Sequence, residues 1–264
     1  MSSTRAPAVA GFFYPEGRAE LESALAGYLA AVPPPPSGAA TPKALIVPHA
    51  GFVYSGPVAA SGYARIAAQR LAIRRVVLLG PSHRIPLYGL ATSRADAFET
   101  PLGAVPLDRE AIDQILDFPQ VQIFEAAHRE EHSLEVQLPF LQYVLEDFAL
   151  VPLSVGEAEP EEVGEVIERL WNGPETLFVV SSDLSHYYDY ETARRLDSAT
   201  SRAIEALDAA ALGVESACGR APARGLLVAA KRHKLSVETV DLRNSGDTAG
   251  DKARVVGYGS YVFS

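Results

Sequence analysis

The stretch KALIVPHAGFVYSG, residues 43–56, decides how the rest of the chain is read. Its apolar run Ala44-Leu45-Ile46-Val47 is β-branched, short, and stopped by Pro48, and His49 follows at once in a Pro-His-Ala-Gly turn. A run this short and this apolar fits a strand buried on both faces, as in a parallel sheet covered by helices. In open α/β sheets the chemistry sits just beyond the carboxyl ends of the strands, which is where His49 falls. The same grammar recurs twice. Val76–Leu79 leads through Gly80-Pro81-Ser82 to His83, and Leu177–Val180 leads through Ser181-Ser182-Asp183-Leu184-Ser185 to His186. Three strand-like runs that each deliver a histidine point to one shared site.

Outward from these runs, strand and helix signals alternate. Leu21, Leu25, Tyr28, Leu29 and Val32 mark one face of an amphipathic helix, which the connector Pro33–Pro36 ends. Pro57 suits the first position of a second helix. Two apolar stretches, near 87–92 and 104–107, flank Thr100-Pro101-Leu102-Gly103 and read as an excursion hairpin. Asp108 is placed to cap a short helix reaching Phe118. Leu134, Leu138, Leu141 and Leu145 repeat at helical spacing with Ser133 as cap, and Pro139 predicts a kink or a delayed start there. A strand near 150–155, helices over about 160–171, 190–207 and 222–231, and strands near 237–242 and 255–263 complete the series. This alternation predicts a three-layer α/β/α fold around a mostly parallel or mixed sheet, with residues 1–264 forming a single domain.

Composition excludes several classes of function. The chain has 264 residues, 48% of them hydrophobic, and 33 Asp plus Glu against 23 Lys plus Arg, a net charge of −10. That balance, with no basic run, argues against sequence-independent nucleic-acid binding and docking on anionic lipid. The single Cys218 rules out an intrachain disulfide and a CxxC zinc site, and it fits a reducing compartment. Residues 44–64 carry no formal charge, but Pro48, His49, Gly51, Ser55, Gly56 and Pro57 interrupt them, against a membrane span. The opening residues lack the apolar stretch of a signal peptide, so a cytoplasmic location is expected. No P-loop or G-x-G-x-x-G fingerprint supports nucleotide binding.

Histidine is the commonest metal ligand, and two histidines plus a carboxylate suit a non-haem Fe(II) centre. His49 and His83 are the metal-ligand candidates, with Asp247 as the carboxylate because Gly246 before it frees the backbone of a polar loop. His186 with Asp183 fits an acid–base pair in which the carboxylate orients the imidazole. His132, Tyr54, Ser82 and Thr248 are candidates for contacting substrate or supporting the ligands. His128 and His233 stand among charged residues and read as solvated; Cys218 reads as a packing residue. A serine hydrolase is the weaker alternative. Gly80-Pro81-Ser82-His83-Arg84 approaches a nucleophile elbow, but arginine replaces its last glycine and proline precedes the serine.

Taken in order, these segments resemble the Memo family, whose prokaryotic members are called AmmeMemoRadiSam system protein B. The resemblance rests on Arg5–Gly11 with Phe13-Tyr14-Pro15, Pro48–Gly51, Tyr54-Ser55-Gly56, Gly80–His83, Thr100–Gly103, Glu131–Glu135, Ser181–His186, Cys218-Gly219-Arg220 and Asn244–Asp247. It implies a fold similar to class III extradiol dioxygenases, in which two histidines and a glutamate hold iron and another histidine is acid–base. His49, His83 and His186 fall on the matching positions. Animal Memo proteins place a metal-site cysteine where this chain reads Asp247-Thr248, so Fe(II) on an oxygen ligand fits better here than copper, with zinc a further option. The expectation is an iron-dependent, dioxygenase-like oxidoreductase acting on a small substrate. The alternative is a non-catalytic binding module. The family name also implies partnership with a radical S-adenosylmethionine protein and an AMMECR-type protein.

Overall fold

The computed structural model describes residues 3–36 and 38–264. In chain order the strands are β1 (Thr4–Arg5), β2 (Ala44–Val47), β3 (Arg75–Pro81), β4 (Leu90–Thr92), β5 (Ala97–Thr100), β6 (Gly103–Pro106), β7 (Val121–Ile123), β8 (Ala149–Val155), β9 (Thr176–Ser181), β10 (His186–Tyr188), β11 (Val237–Asn244) and β12 (Val255–Phe263). The α-helices are α1 (Arg18–Ala30), α2 (Phe52–Tyr63), α3 (Arg109–Asp113), α4 (Ala126–Arg129), α5 (Leu138–Val144), α6 (Pro160–Arg169), α7 (Tyr190–Glu205), α8 (Arg220–Arg232) and α9 (Ser245–Thr248).

The large sheet is mixed and runs β10-β12-β2-β9-β3-β8-β4-β7, with β11 also paired to β12. Its centre, β2-β9-β3-β8, is parallel throughout. Every residue of β2 and β9 is buried, as is all of β3 beyond Arg75. That is the burial a continuous apolar run requires, because helices cover both faces of a central strand. Each such Val, Leu or Ile contributes roughly 1.5–3 kcal/mol by leaving water. Helices α1, α2 and α5 pack against one another, and α6 and α8 form a second pair. Pairing β2 with β9 and β9 with β3 brings their carboxyl ends side by side, and the three strand-end histidines with them.

Several sequence expectations shift. Helix α2 starts at Phe52, so Pro57 lies inside it and costs a backbone hydrogen bond that Gly56 and Tyr28 pack around. The excursion hairpin pairs β5 with β6 across Thr100–Gly103 and joins β1, whereas 90–92 belongs to the large sheet as β4. The Asp108 cap forms, its Oδ1 accepting from Ala111 N, but α3 ends at Asp113. Beyond Ser133 the chain makes a short 3₁₀ turn, and α5 starts only at Leu138 with Pro139 in its first turn. The polar loop at 244–248 closes into the one-turn helix α9. Among the described residues no helix is long and apolar enough to cross a membrane.

Candidate metal centre

His49 leaves the end of β2 and is 2% exposed. Its Nδ1 lies 2.8 Å from Ser181 Oγ at the end of β9, which leaves Nε2 turned away from that bond. Its backbone N–H donates to Asp183 Oδ1 at 2.7 Å, and Ala50 N–H donates to the same oxygen at 3.3 Å. His83 leaves β3 through Pro81-Ser82, and Glu131 holds it twice. Oε2 accepts the His83 backbone N–H at 2.6 Å, and Oε1 lies 2.9 Å from its Nδ1. Nε2 of His83 is therefore the free nitrogen, the usual arrangement of a ligating imidazole whose other nitrogen is anchored by a carboxylate.

The third imidazole is His132. Ligand atoms of His49, His83 and His132 all lie within 4.8 Å of one another. The His49 and His83 rings are 5.3 Å apart, and the His83 and His132 rings stack at 4.8 Å with an 18° interplanar angle. The loop carrying His132 is fixed from several sides. Ser133 Oγ donates to the Pro81 carbonyl at 2.8 Å, and Ser133 N–H donates to Glu131 Oε1 at 2.9 Å. Arg5 donates to the carbonyls of His128 and Glu131 and pairs with the buried Glu135. Glu135 also accepts from Ala8 N, Val9 N and Tyr14 Oη. Phe13 completes the support, its ring 4.7 Å from that of His132.

Asp247 does not join this group. It is the third residue of α9, where its Oδ2 accepts the Asn244 N–H at 3.0 Å in a reciprocal cap and its Oδ1 accepts from Tyr190 Oη at 2.5 Å. The loop glycine, Gly246, serves the capping turn, and the carboxylate is spent locally. Asp247 lines a separate concavity with Arg194, Ser198 and Arg243. Thr248 Oγ1 donates to Ser245 O, and Ser82 Oγ donates to Ile85 O, so both hydroxyls are committed to their own turns. Tyr54 does line the cleft.

His186 opens β10 on the wall of the same cleft. Its Nδ1 bonds the Leu184 carbonyl at 2.8 Å, not Asp183 as the spacing suggested. That bond places the proton on Nδ1 and leaves Nε2 as the acceptor. Asp183 has a different duty, holding the His49–Ala50 backbone in the turn. Burial, outweighing its backbone hydrogen bonds and the nearby His186 charge, raises the Asp183 carboxyl above its usual range.

Burial also decides the protonation of the imidazoles. It pushes His49 down to about 3, with the like charge of His83 in the same direction. It pushes His132 down to about 4, with His49 adding to it. Burial acts to raise Glu131, but the hydrogen bond and charge of His83 and the Ser133 and His83 N–H groups outweigh it and bring the carboxyl to about 2. Two imidazoles are thus neutral, with lone pairs available, and an ionised carboxylate anchors the third. His132 Nδ1 lies 3.3 Å from Glu131 Oε1 without hydrogen-bond geometry and is a buried nitrogen with no hydrogen-bond partner among the described residues. Three clustered imidazoles, two of them held neutral and one of those two, His132, with an orphaned nitrogen, fit a divalent metal of the imidazole-binding kind.

Other residues differ from their sequence reading. His128 is buried beneath the ring of Phe98, its Nε2 3.0 Å from the Ala91 carbonyl. His233 is exposed, as its sequence reading has it, while stacking on Trp171 and pairing with Glu168. Cys218 brings Sγ to 3.3 Å from His49 Nε2, and burial with the Asp183 charge holds its thiol far above the usual range, as a neutral group. Sequence reading gave Glu131 no role; a carboxylate beside a histidine was the available signal.

The cleft containing these groups has a volume of about 700 Å³ and is also walled by Phe13, Arg84, Tyr187, Arg254 and Tyr258. The fold is shared with a crystal structure of the uncharacterized protein JW3007 from Escherichia coli K12, at a TM-score of 0.54 and 12% identity over 82% of this chain and 98% of that one. MEMO1 family proteins from Aquifex aeolicus and Metallosphaera sedula are 38% and 35% identical to it, each over 98% of this chain and 98% and 99% of their own lengths. The Memo-like protein family matches residues 5–262. The chain therefore belongs to the Memo-like family.

Proposed function

We propose that this protein is a metal-dependent enzyme whose centre is a divalent ion on His49, His83 and His132, and that with Fe(II) it is an oxidoreductase acting on a small phenolic substrate. The observation that supports this is the gathering of three imidazoles on one wall of a roomy cleft, with a further histidine in the same cleft. Bound there, the metal would supply Lewis acidity and, as iron, redox chemistry with oxygen. His186 is suited to take the phenolic proton on Nε2, because its Nδ1–H is held by Leu184 O. Tyr54, Phe13 and Tyr258 would hold the ring and keep water from it. Glu131 and Ser181 keep His83 and His49 in their orientations.

The test is elemental analysis of protein purified without oxygen, followed by oxygen uptake with catechols. His49→Ala, His83→Ala and His132→Ala should each lose most of the metal, while Asp247→Ala should keep it. His186→Ala should keep metal and lose uptake. Wild-type metal content in the His49→Ala, His83→Ala double variant would refute the centre. Zinc without oxygen uptake would favour hydrolysis instead, for which three histidines and a water are a known catalytic set. Family membership makes a radical S-adenosylmethionine protein and an AMMECR-type protein the first partners to seek by co-purification.

A further inference from the structure

We infer that the cleft selects a small aromatic molecule carrying a carboxylate, and that Arg254, carried by the ring of Tyr187, is the specificity-determining residue. The inference deepens the reading above, since it concerns the same cleft, but it does not need the metal.

The first observation is a strained backbone. Strand β10 pairs with β12 through His186 and Tyr188, and the register breaks between them. Tyr187, the residue in the break, sits at φ 64°. A non-glycine residue there is strained, and such strain persists where the surroundings impose it. Packing does not repay it, because Tyr187 is 63% exposed. The bulge instead sets Tyr187 on the cleft wall, edge-on to His186 with ring centroids 5.7 Å apart.

The second observation is what Tyr187 carries. The Arg254 guanidinium lies over its ring, 5.3 Å from the centroid, and lines the same cleft. That cation–π contact fixes the direction of the guanidinium while leaving its N–H donors unspent. Arg254 has no carboxylate within ion-pair distance among the described residues, and neither does Arg84, which follows His83 on the cleft wall. Two carboxylates also line the cleft. Asp183 holds the turn at His49, and Asp251 accepts from Ala253 N at 2.8 Å.

The third observation is the balance of charge. In a chain with 33 acidic against 23 basic residues, the cleft presents two guanidiniums, Arg84 and Arg254, that have no carboxylate within ion-pair distance among the described residues. A concave site of one sign concentrates ligands of the other. The guanidinium fork matches a carboxylate with two parallel hydrogen bonds, and Tyr187, Tyr54 and Phe13 offer faces for a planar ring.

The experiment is calorimetric titration of chelator-treated protein at low salt with benzoate, benzamide and phenyl phosphate. Benzoate should bind about tenfold or more tighter than benzamide, the scale of a hydrogen bond to a charged group. Arg254→Gln should bring that ratio close to one while leaving benzamide binding and the circular dichroism spectrum unchanged, and Arg84→Gln should lower it less. Equal binding of benzoate and benzamide by the wild type would overturn the inference, as would a ratio that survives Arg254→Gln. Phenyl phosphate binding tighter than benzoate would overturn the choice of carboxylate. Because the metal is absent from every arm, failure here is distinct from failure of the metal centre.

Discussion

A single side chain at this site is defined by what its far end is doing. Ser181 and Glu131 occupy the Nδ1 atoms of His49 and His83 and turn their Nε2 atoms to the cleft, with Cys218 Sγ 3.3 Å from that of His49, whereas Asn244 and Tyr190 occupy the oxygens of Asp247. Asp247→Asn should therefore leave metal content unchanged and lower stability by about 1 kcal/mol, the usual worth of a lost helix cap, as read by denaturant unfolding. His128 gives a pH prediction away from the three clustered imidazoles. Burial and the Arg5 charge bring it from 6.5 down to about 4. The folded state thus binds fewer protons than the unfolded chain between these values. Its contribution is fully present above pH 6.5 and is lost as pH falls towards 4. His128→Gln should flatten that fall, by an amount on the order of 1–3 kcal/mol, in unfolding measured from pH 7 to pH 4.

At the scale of the element, β3 and the loop 131–134 form one device. Gly80 lies against that loop so closely that an added Cβ would meet Leu134 Cδ2 at 2.9 Å and Ser133 Oγ at 3.0 Å. Gly80→Ala should push the loop off Pro81 and weaken metal binding, by roughly tenfold if His132 loses its place, with the metal titrated under exchange with a chelator. Unchanged affinity would show that His132 does not depend on this contact. The sheet strands were legible because each is an apolar run whose burial depends on its own composition. The start of α2 departs from local rules, which place a proline such as Pro57 at a helix start, because neighbouring packing, with Gly56 against Tyr28, tolerates it inside the helix.

The whole molecule ties its amino-terminal segment to the site. Arg5, 8% exposed at its side chain, pairs with Glu135, 0% exposed, and also grips the carbonyls of His128 and Glu131. Arg5→Ala leaves a buried carboxylate with only neutral donors, so stability should fall by about 3–5 kcal/mol. Metal occupancy should fall with it, because the His132 loop loses its clamp. Arg5→Ala with normal stability and full occupancy would contradict that account. The two guanidiniums flanking the cleft come from distant parts of the chain, Arg84 beyond β3 and Arg254 before β12. Only the closed sheet brings them to one opening.

By itself, the sequence determined the central strands, the proline-terminated turns, and the delivery of His49, His83 and His186 to one sheet edge. Those features depend on short-range composition and on the rule that parallel strands end together. Tertiary structure alone decided that His132, and not Asp247, lies beside His49 and His83. A carboxylate in a polar loop closes its own cap through contacts three residues away. A loop histidine reaches the centre only when Arg5, Glu131 and Pro81, up to 127 positions from it in the chain, hold it there.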